Sequence, residues 1–185
     1  MIPFGPASLK GGTSLSKVFH AINRFSEDID LAVDYTALGF IGERDPRRED
    51  MSKTKRAAIL ADMMSECQAY IGGAFLDALK TRCEEILGTS DTWTLDVSPQ
   101  DRNVVQFRYP TAIANNLAYV APQVVLELGT HAEFVPHDDF TIRSFAAEEF
   151  PQLVTDGDVA VTALLAKRTF WEKATILHAE YHCRP

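Results

Sequence analysis

The segment Ser26-Glu27-Asp28-Ile29-Asp30-Leu31-Ala32-Val33 constrains the fold more than any other part of this chain. Its alternation and small residues suit a strand with Ile29 and Leu31 turned to a core, which leaves the acidic residues on the other face. Asp28 and Asp30 are two apart, so their carboxylates project from one side, roughly 6–7 Å between successive positions. Two unit charges at about 6 Å repel by roughly 3 kcal/mol at an effective dielectric of about 20. That is enough to raise one pKa or to recruit a cation. Mg²⁺, or Mn²⁺ in its place, prefers oxygen ligands and is usually held by one or two carboxylates plus substrate phosphates. An Asp-x-Asp pair alone is a weak motif, equally at home on a solvated edge strand.

Upstream, Gly11-Gly12 precedes Leu15, Val18, Phe19 and Ile22 at helical spacing, which predicts a short helix starting at the glycines. A glycine pair at that point lets the backbone approach an anion. Exposed N–H groups and the Thr13 and Ser14 hydroxyls can then hold phosphate oxygens, with Lys17 one turn on as a point charge. The alternative is a plain turn, with Thr13 or Ser14 as N-cap and Lys17 solvated.

Gly42 to Lys55 is dense in charge and reads as a mobile surface loop that could lie over a substrate. Arg56 to Leu87 is helical in composition, broken at Gly72-Gly73. Thr92–Val97, Val104–Tyr109 and Tyr119–Leu128 are expected as antiparallel strands, and Phe140–Phe145 as another. Val159–Ala166 and Arg168–His182 are expected as helices. The fold class is therefore α+β, a mixed sheet flanked by helices, with the acidic strand and glycine turn at one edge of a cleft.

With 185 residues, 46% of them hydrophobic, one core and one domain are the default. A net charge of −8 argues against a broad basic face for nucleic acid, so any RNA contact has to be local. Cys67, Cys83 and Cys183 are odd in number and unpaired by motif, as in a reducing cytosol. With neither a signal-like N-terminus nor an apolar run approaching the ~18 residues of a membrane helix, a cytoplasmic protein is expected.

The run Lys10-Gly11-Gly12-Thr13-Ser14-Leu15-Ser16-Lys17 followed by Arg24-Phe25-Ser26-Glu27-Asp28-Ile29-Asp30-Leu31 resembles the signature of AbiEii/AbiGii-type toxin nucleotidyltransferases. Arg168-Thr169-Phe170-Trp171-Glu172-Lys173-Ala174-Thr175-Ile176-Leu177-His178 resembles the same family's downstream lysine helix. The resemblance implies a polymerase-β-like nucleotidyltransferase fold and transfer of a nucleoside monophosphate from a nucleoside triphosphate to an acceptor hydroxyl, such as one on tRNA. It further implies a cognate antitoxin as partner. By this resemblance Gly12 and Thr13 or Ser14 contact the triphosphate, Asp28 and Asp30 bind Mg²⁺, and Lys173 engages the nucleotide. Polymerase-β-type enzymes generally use a third carboxylate on a neighbouring strand. Glu127, the lone charge in Val124-Val125-Leu126-Glu127-Leu128, is the candidate, to activate the acceptor hydroxyl. Its alternative is a strand-edge residue paired with Lys or Arg. Residues 1–185 are expected to form a single nucleotidyltransferase domain without the helical extension that family members carry beyond the lysine helix.

Other constellations are weaker. His178 and His182 are one helical turn apart with Cys183 adjacent, and His131, His137, Asp138 and Asp139 form a polar group, but neither set has full zinc spacing. Arg24 suits either phosphate or a salt bridge. Phe170 and Trp171 suit base stacking or core, and core is expected for at least one. Two rival functions remain: transfer to a small cationic acceptor, and a nucleotide-binding module without catalysis.

Overall fold

The computed structural model describes residues 7–24, 26, 28–89, 91–110, 121–130, 135–154 and 157–182. The expected contributions of Phe25, Glu27, Tyr119, Val120, His131 and Cys183 lie outside the described residues. Strand β1 (Ala7–Lys10) runs directly into helix α1 (Gly11–Lys17), and the chain returns through β2 (Asp28–Val33). Helices α2 (Lys53–Tyr70) and α3 (Leu76–Leu87) follow, then strands β3 (Thr94–Val97), β4 (Val104–Arg108), β5 (Gln123–Gly129) and β6 (His137–Arg143). A short helix α4 (Phe145–Glu149) leads to β7 (Asp158–Leu164) and the last helix, α5 (Ala166–His182).

All seven strands join one mixed sheet in the order β3-β4-β5-β2-β1-β7-β6. Strand β2 is central, parallel to β5 and antiparallel to β1, so the Asp-x-Asp pair is not on an edge strand. The antiparallel run β3-β4-β5 is as the sequence predicts. Of the expected helix Val159–Ala166, only Ala166 is helical, as the first residue of α5. Residues 158–164 form β7, parallel to β1 and antiparallel to β6. An apolar run this short carries no decisive period, and the two flanking strands supply the ladder hydrogen bonds that settle its state.

Helix α1 ends earlier than the spacing of Phe19 and Ile22 predicts. His20 adopts a left-handed backbone (φ 48°), which turns the chain back toward β2. Helices α2 and α3 form one broken helix, as Gly72-Gly73 predicts. A π-helical turn, Ile71–Phe75, joins them, and Gly73 leaves helical geometry at φ −113°, ψ −106°. The charged segment before α2 is folded by local ion pairs, Arg47 with Asp45 and Arg48 with Asp50. The Ser52 hydroxyl, accepting from the Lys55 N–H, caps α2.

The principal core joins Val33, Leu95, Val105 and Leu128 of the sheet to Cys67, Ile71 and Phe75 of the broken helix. Burial pushes the Cys67 thiol up to about 11, so it behaves as an inert apolar group. Because strand side chains alternate, covering the Leu31, Val33, Leu126 and Leu128 face leaves Asp28, Asp30 and Glu127 on the opposite one. No helix among the described residues is long and apolar enough to cross a membrane.

Candidate active site

Register across the sheet builds the site. Lys10 of β1 lies opposite Asp30 of β2, and Asp30 lies opposite Glu127 of β5, so three charged residues form a row across adjacent strands. Asp28 stands two residues along β2 on the same side. Carboxylate oxygens of Asp28, Asp30 and Glu127 all come within 4.8 Å of one another. Among the described residues this is the one group of three potential ligands; the histidine groupings considered from sequence include His131 and Cys183, which lie outside the described residues.

The glycine turn closes against this row. Gly11 has φ +69°, and a Cβ added there would overlap Asp30 Oδ2, so only glycine fits. The next N–H, of Gly12, hydrogen-bonds to the Asp30 carboxylate. A Cβ on Gly12 would in turn overlap the Arg24 guanidinium, which lies across the turn. The Thr13 hydroxyl donates to the main-chain oxygen of Asp28 (2.8 Å), and the Ser14 hydroxyl donates to Gly11 O (2.9 Å). The Thr13 hydroxyl therefore fastens the turn to the acidic strand while the Ser14 hydroxyl closes the turn on itself, and each oxygen keeps only acceptor capacity. An anion at the turn would meet N–H groups and Arg24.

Lys17 leaves the carboxylates and reaches α4. Its Nζ is 2.8 Å from Glu148 and 3.2 Å from the centroid of the Phe145 ring, with the side chain 8% exposed. The pair lines a cavity of about 240 Å³ that Arg24 also borders. On the other side α5 brings Lys173 close enough for its charge to act on Asp30, while Glu172 accepts from Lys10 Nζ at 3.5 Å. Phe170 and Trp171 are 62% and 56% exposed, so neither is core. Sequence reading passed over Lys10 as a site residue. Its signal was being the charged residue directly before the glycine turn.

Electrostatics follows from this crowding. Burial raises the Asp30 pKa; Lys10 opposes the rise, Asp28 adds to it, and Lys173 and the Gly12 N–H oppose it. Glu127 is solvent-exposed, yet partial desolvation at the sheet surface raises its pKa, followed by Asp28, Asp30 and Asp101, with Lys10 opposing. β5 is flanked by β4 and β2, so Glu127 does not lie on an edge strand of the sheet. Crowded carboxylate oxygens on three side chains are the donor set a hard divalent cation satisfies, so the residues fit such a cation.

These shifts carry a stability consequence. A carboxyl group whose pKa is raised on folding holds more protons in the folded chain, so ionising it costs stability as pH rises from the ordinary carboxylate range through the raised value. Glu127→Gln removes one such group. In EDTA the variant is expected to melt above wild type at neutral pH, and the gap should close as pH falls below about 4, where the unfolded carboxylates protonate. A gap independent of pH in thermal melts from pH 3.5 to 7.5 would contradict the arrangement.

No curated protein and no solved structure matches the chain. A glycine turn locked onto an acidic strand, a carboxylate on the parallel neighbour and a lysine helix over them come from four separate stretches of sequence, and one family model accounts for nearly all of the chain. It matches residues 4–185 and is described as the nucleotidyl transferase AbiEii toxin of a type IV toxin–antitoxin system, and the chain belongs to that family.

Proposed function

We propose that this protein transfers a nucleoside monophosphate from a Mg²⁺-bound nucleoside triphosphate to a hydroxyl of an RNA acceptor. The observation carrying the reading is the convergence of Asp28, Asp30 and Glu127 oxygens within 4.8 Å beside the glycine turn, with the Lys173 charge acting on the same group. Asp28 and Asp30 hold the cation, and Glu127 completes the set. When bound, Mg²⁺ neutralises the row and stabilises charge on the phosphoryl oxygens.

The glycine turn and Arg24 receive the β- and γ-phosphates, through N–H groups of Thr13 and Ser14 and through the guanidinium. Lys17, held by Glu148, keeps a positive charge behind them. Lys173 engages the phosphates from the opposite side. Glu127 accepts the proton of the attacking hydroxyl at a carboxylate oxygen; its raised pKa brings its proton affinity nearer the working pH. The hydroxyl then attacks the α-phosphate in line and pyrophosphate leaves.

An RNA acceptor is favoured by α5. Phe170 lies one helical turn before Lys173 and Trp171 beside it, both exposed, offering rings on which unpaired bases stack. The test is incubation with Mg²⁺, total RNA and each α-labelled nucleoside triphosphate in turn. Label on RNA that EDTA abolishes is the expected result and identifies the nucleotide. Label on no RNA, with nucleotide still bound, would reject the RNA acceptor. Growth arrest on expression, relieved by the antitoxin of the same system, is the corresponding expectation in cells.

A further inference from the structure

Lys10 belongs to two groups at once. From β1 it pairs in register with Asp30, whose other neighbour in the row is Glu127, and its charge acts on both carboxylates. Its Nζ also contacts Glu172 Oε1, at a separation of 3.5 Å, long for an ion pair between half-buried groups 21% and 23% exposed. Glu172 immediately precedes Lys173 on α5. The acidic row thus has a built-in cation whose influence depends on how far Glu172 neutralises it.

We propose that Lys10 is a positioning residue acting through the carboxylates, shared between Glu172 and the row, and that Glu172 thereby sets how strongly the row attracts a divalent cation. The inference rests on the metal-site reading above. Lys10 repels an incoming cation and stabilises the ionised row before one arrives; Glu172 draws that charge away. A pair that merely fastens α5 to β1 would behave differently, because breaking it from either side loosens the same helix.

The two substitutions therefore have opposite expected signs. Lys10→Met removes the competing cation and is expected to tighten binding of Mn²⁺ about tenfold. Glu172→Gln leaves Lys10 uncompensated and is expected to weaken Mn²⁺ binding roughly threefold. Lys10→Arg keeps the charge and should remain near wild type, which controls for folding.

Mn²⁺ alone serves as the probe, followed by calorimetry or by the paramagnetic resonance of the free ion, with Asp28→Ala as background. Opposite shifts support the proposal. Wild type binding no Mn²⁺ above the Asp28→Ala background overturns the metal site itself. Wild type binding Mn²⁺ while both variants shift together, or neither shifts, overturns the role of Lys10 and leaves the metal site standing.

Discussion

Asp28→Ala is expected to reduce label transfer at least ~10³-fold, a loss of about 4 kcal/mol of transition-state stabilisation, of the size a metal-ligating carboxylate supplies. The fold should survive. What β2 needs from residue 28 is its main-chain oxygen, which accepts from the Thr13 hydroxyl, and alanine keeps that oxygen. The carboxylate itself accepts only a long bond from the Ser26 hydroxyl, 3.3 Å, among the contacts described, and it raises the pKa of both Asp30 and Glu127. Removing it relieves repulsion, so the metal-free variant should melt no lower than wild type. Stabilisation of wild type by Mg²⁺ should vanish in the variant, because binding to the folded chain alone is what raises the melting point. Wild-type transfer rates in Asp28→Ala would dismiss the carboxylate row as the catalytic centre.

Gly11→Ala is expected to be the most destabilising single methyl addition in the site. The left-handed backbone at φ +69° costs about 1–2 kcal/mol for an alanine, and the overlap with Asp30 Oδ2 adds roughly 1–3 kcal/mol. For a chain of this length that is a fall of about 10 °C in melting temperature. Gly39→Ala separates the two contributions. Gly39 also has positive φ, +87°, but nothing lies within 4 Å of the added methyl, so only the backbone cost applies. Gly11→Ala should melt clearly below Gly39→Ala and should also lose transfer, because Asp30 must move away. Equal melting points would remove the steric argument for the turn.

The acidic strand and the glycine turn were legible in the sequence because their information is local. Two carboxylates two residues apart share a strand face whatever else the chain does, and a glycine pair before an apolar helical stripe marks a turn. Glu127 was legible as a lone charge between apolar neighbours, although which strand it would face was not. Strand β7 was misread because Val159 to Leu164 is short and mostly apolar, and its state is decided by β1 and β6, more than a hundred and about twenty residues away. Lys10 escaped for the same reason: its opposition to Asp30 exists only in the pairing of β1 with β2. Lys17 was legible as a cation one turn beyond the glycines, but its attachment to Glu148 depends on α4, far along the chain. Exposure of both Phe170 and Trp171 could not be read from spacing, since an apolar stripe does not disclose whether anything packs on it.

The insertion of β7 between β6 and β1 also has a meaning for synthesis on the ribosome. The carboxylates are complete once β5 has emerged and paired with β2, but Lys173 and Glu172 arrive only after β7 has threaded into its slot and delivered α5. A growing chain thus displays the acidic row with Lys10 already beside it, before α5 brings Lys173 and Glu172. The nascent polypeptide is expected to be inert as a transferase until α5 docks.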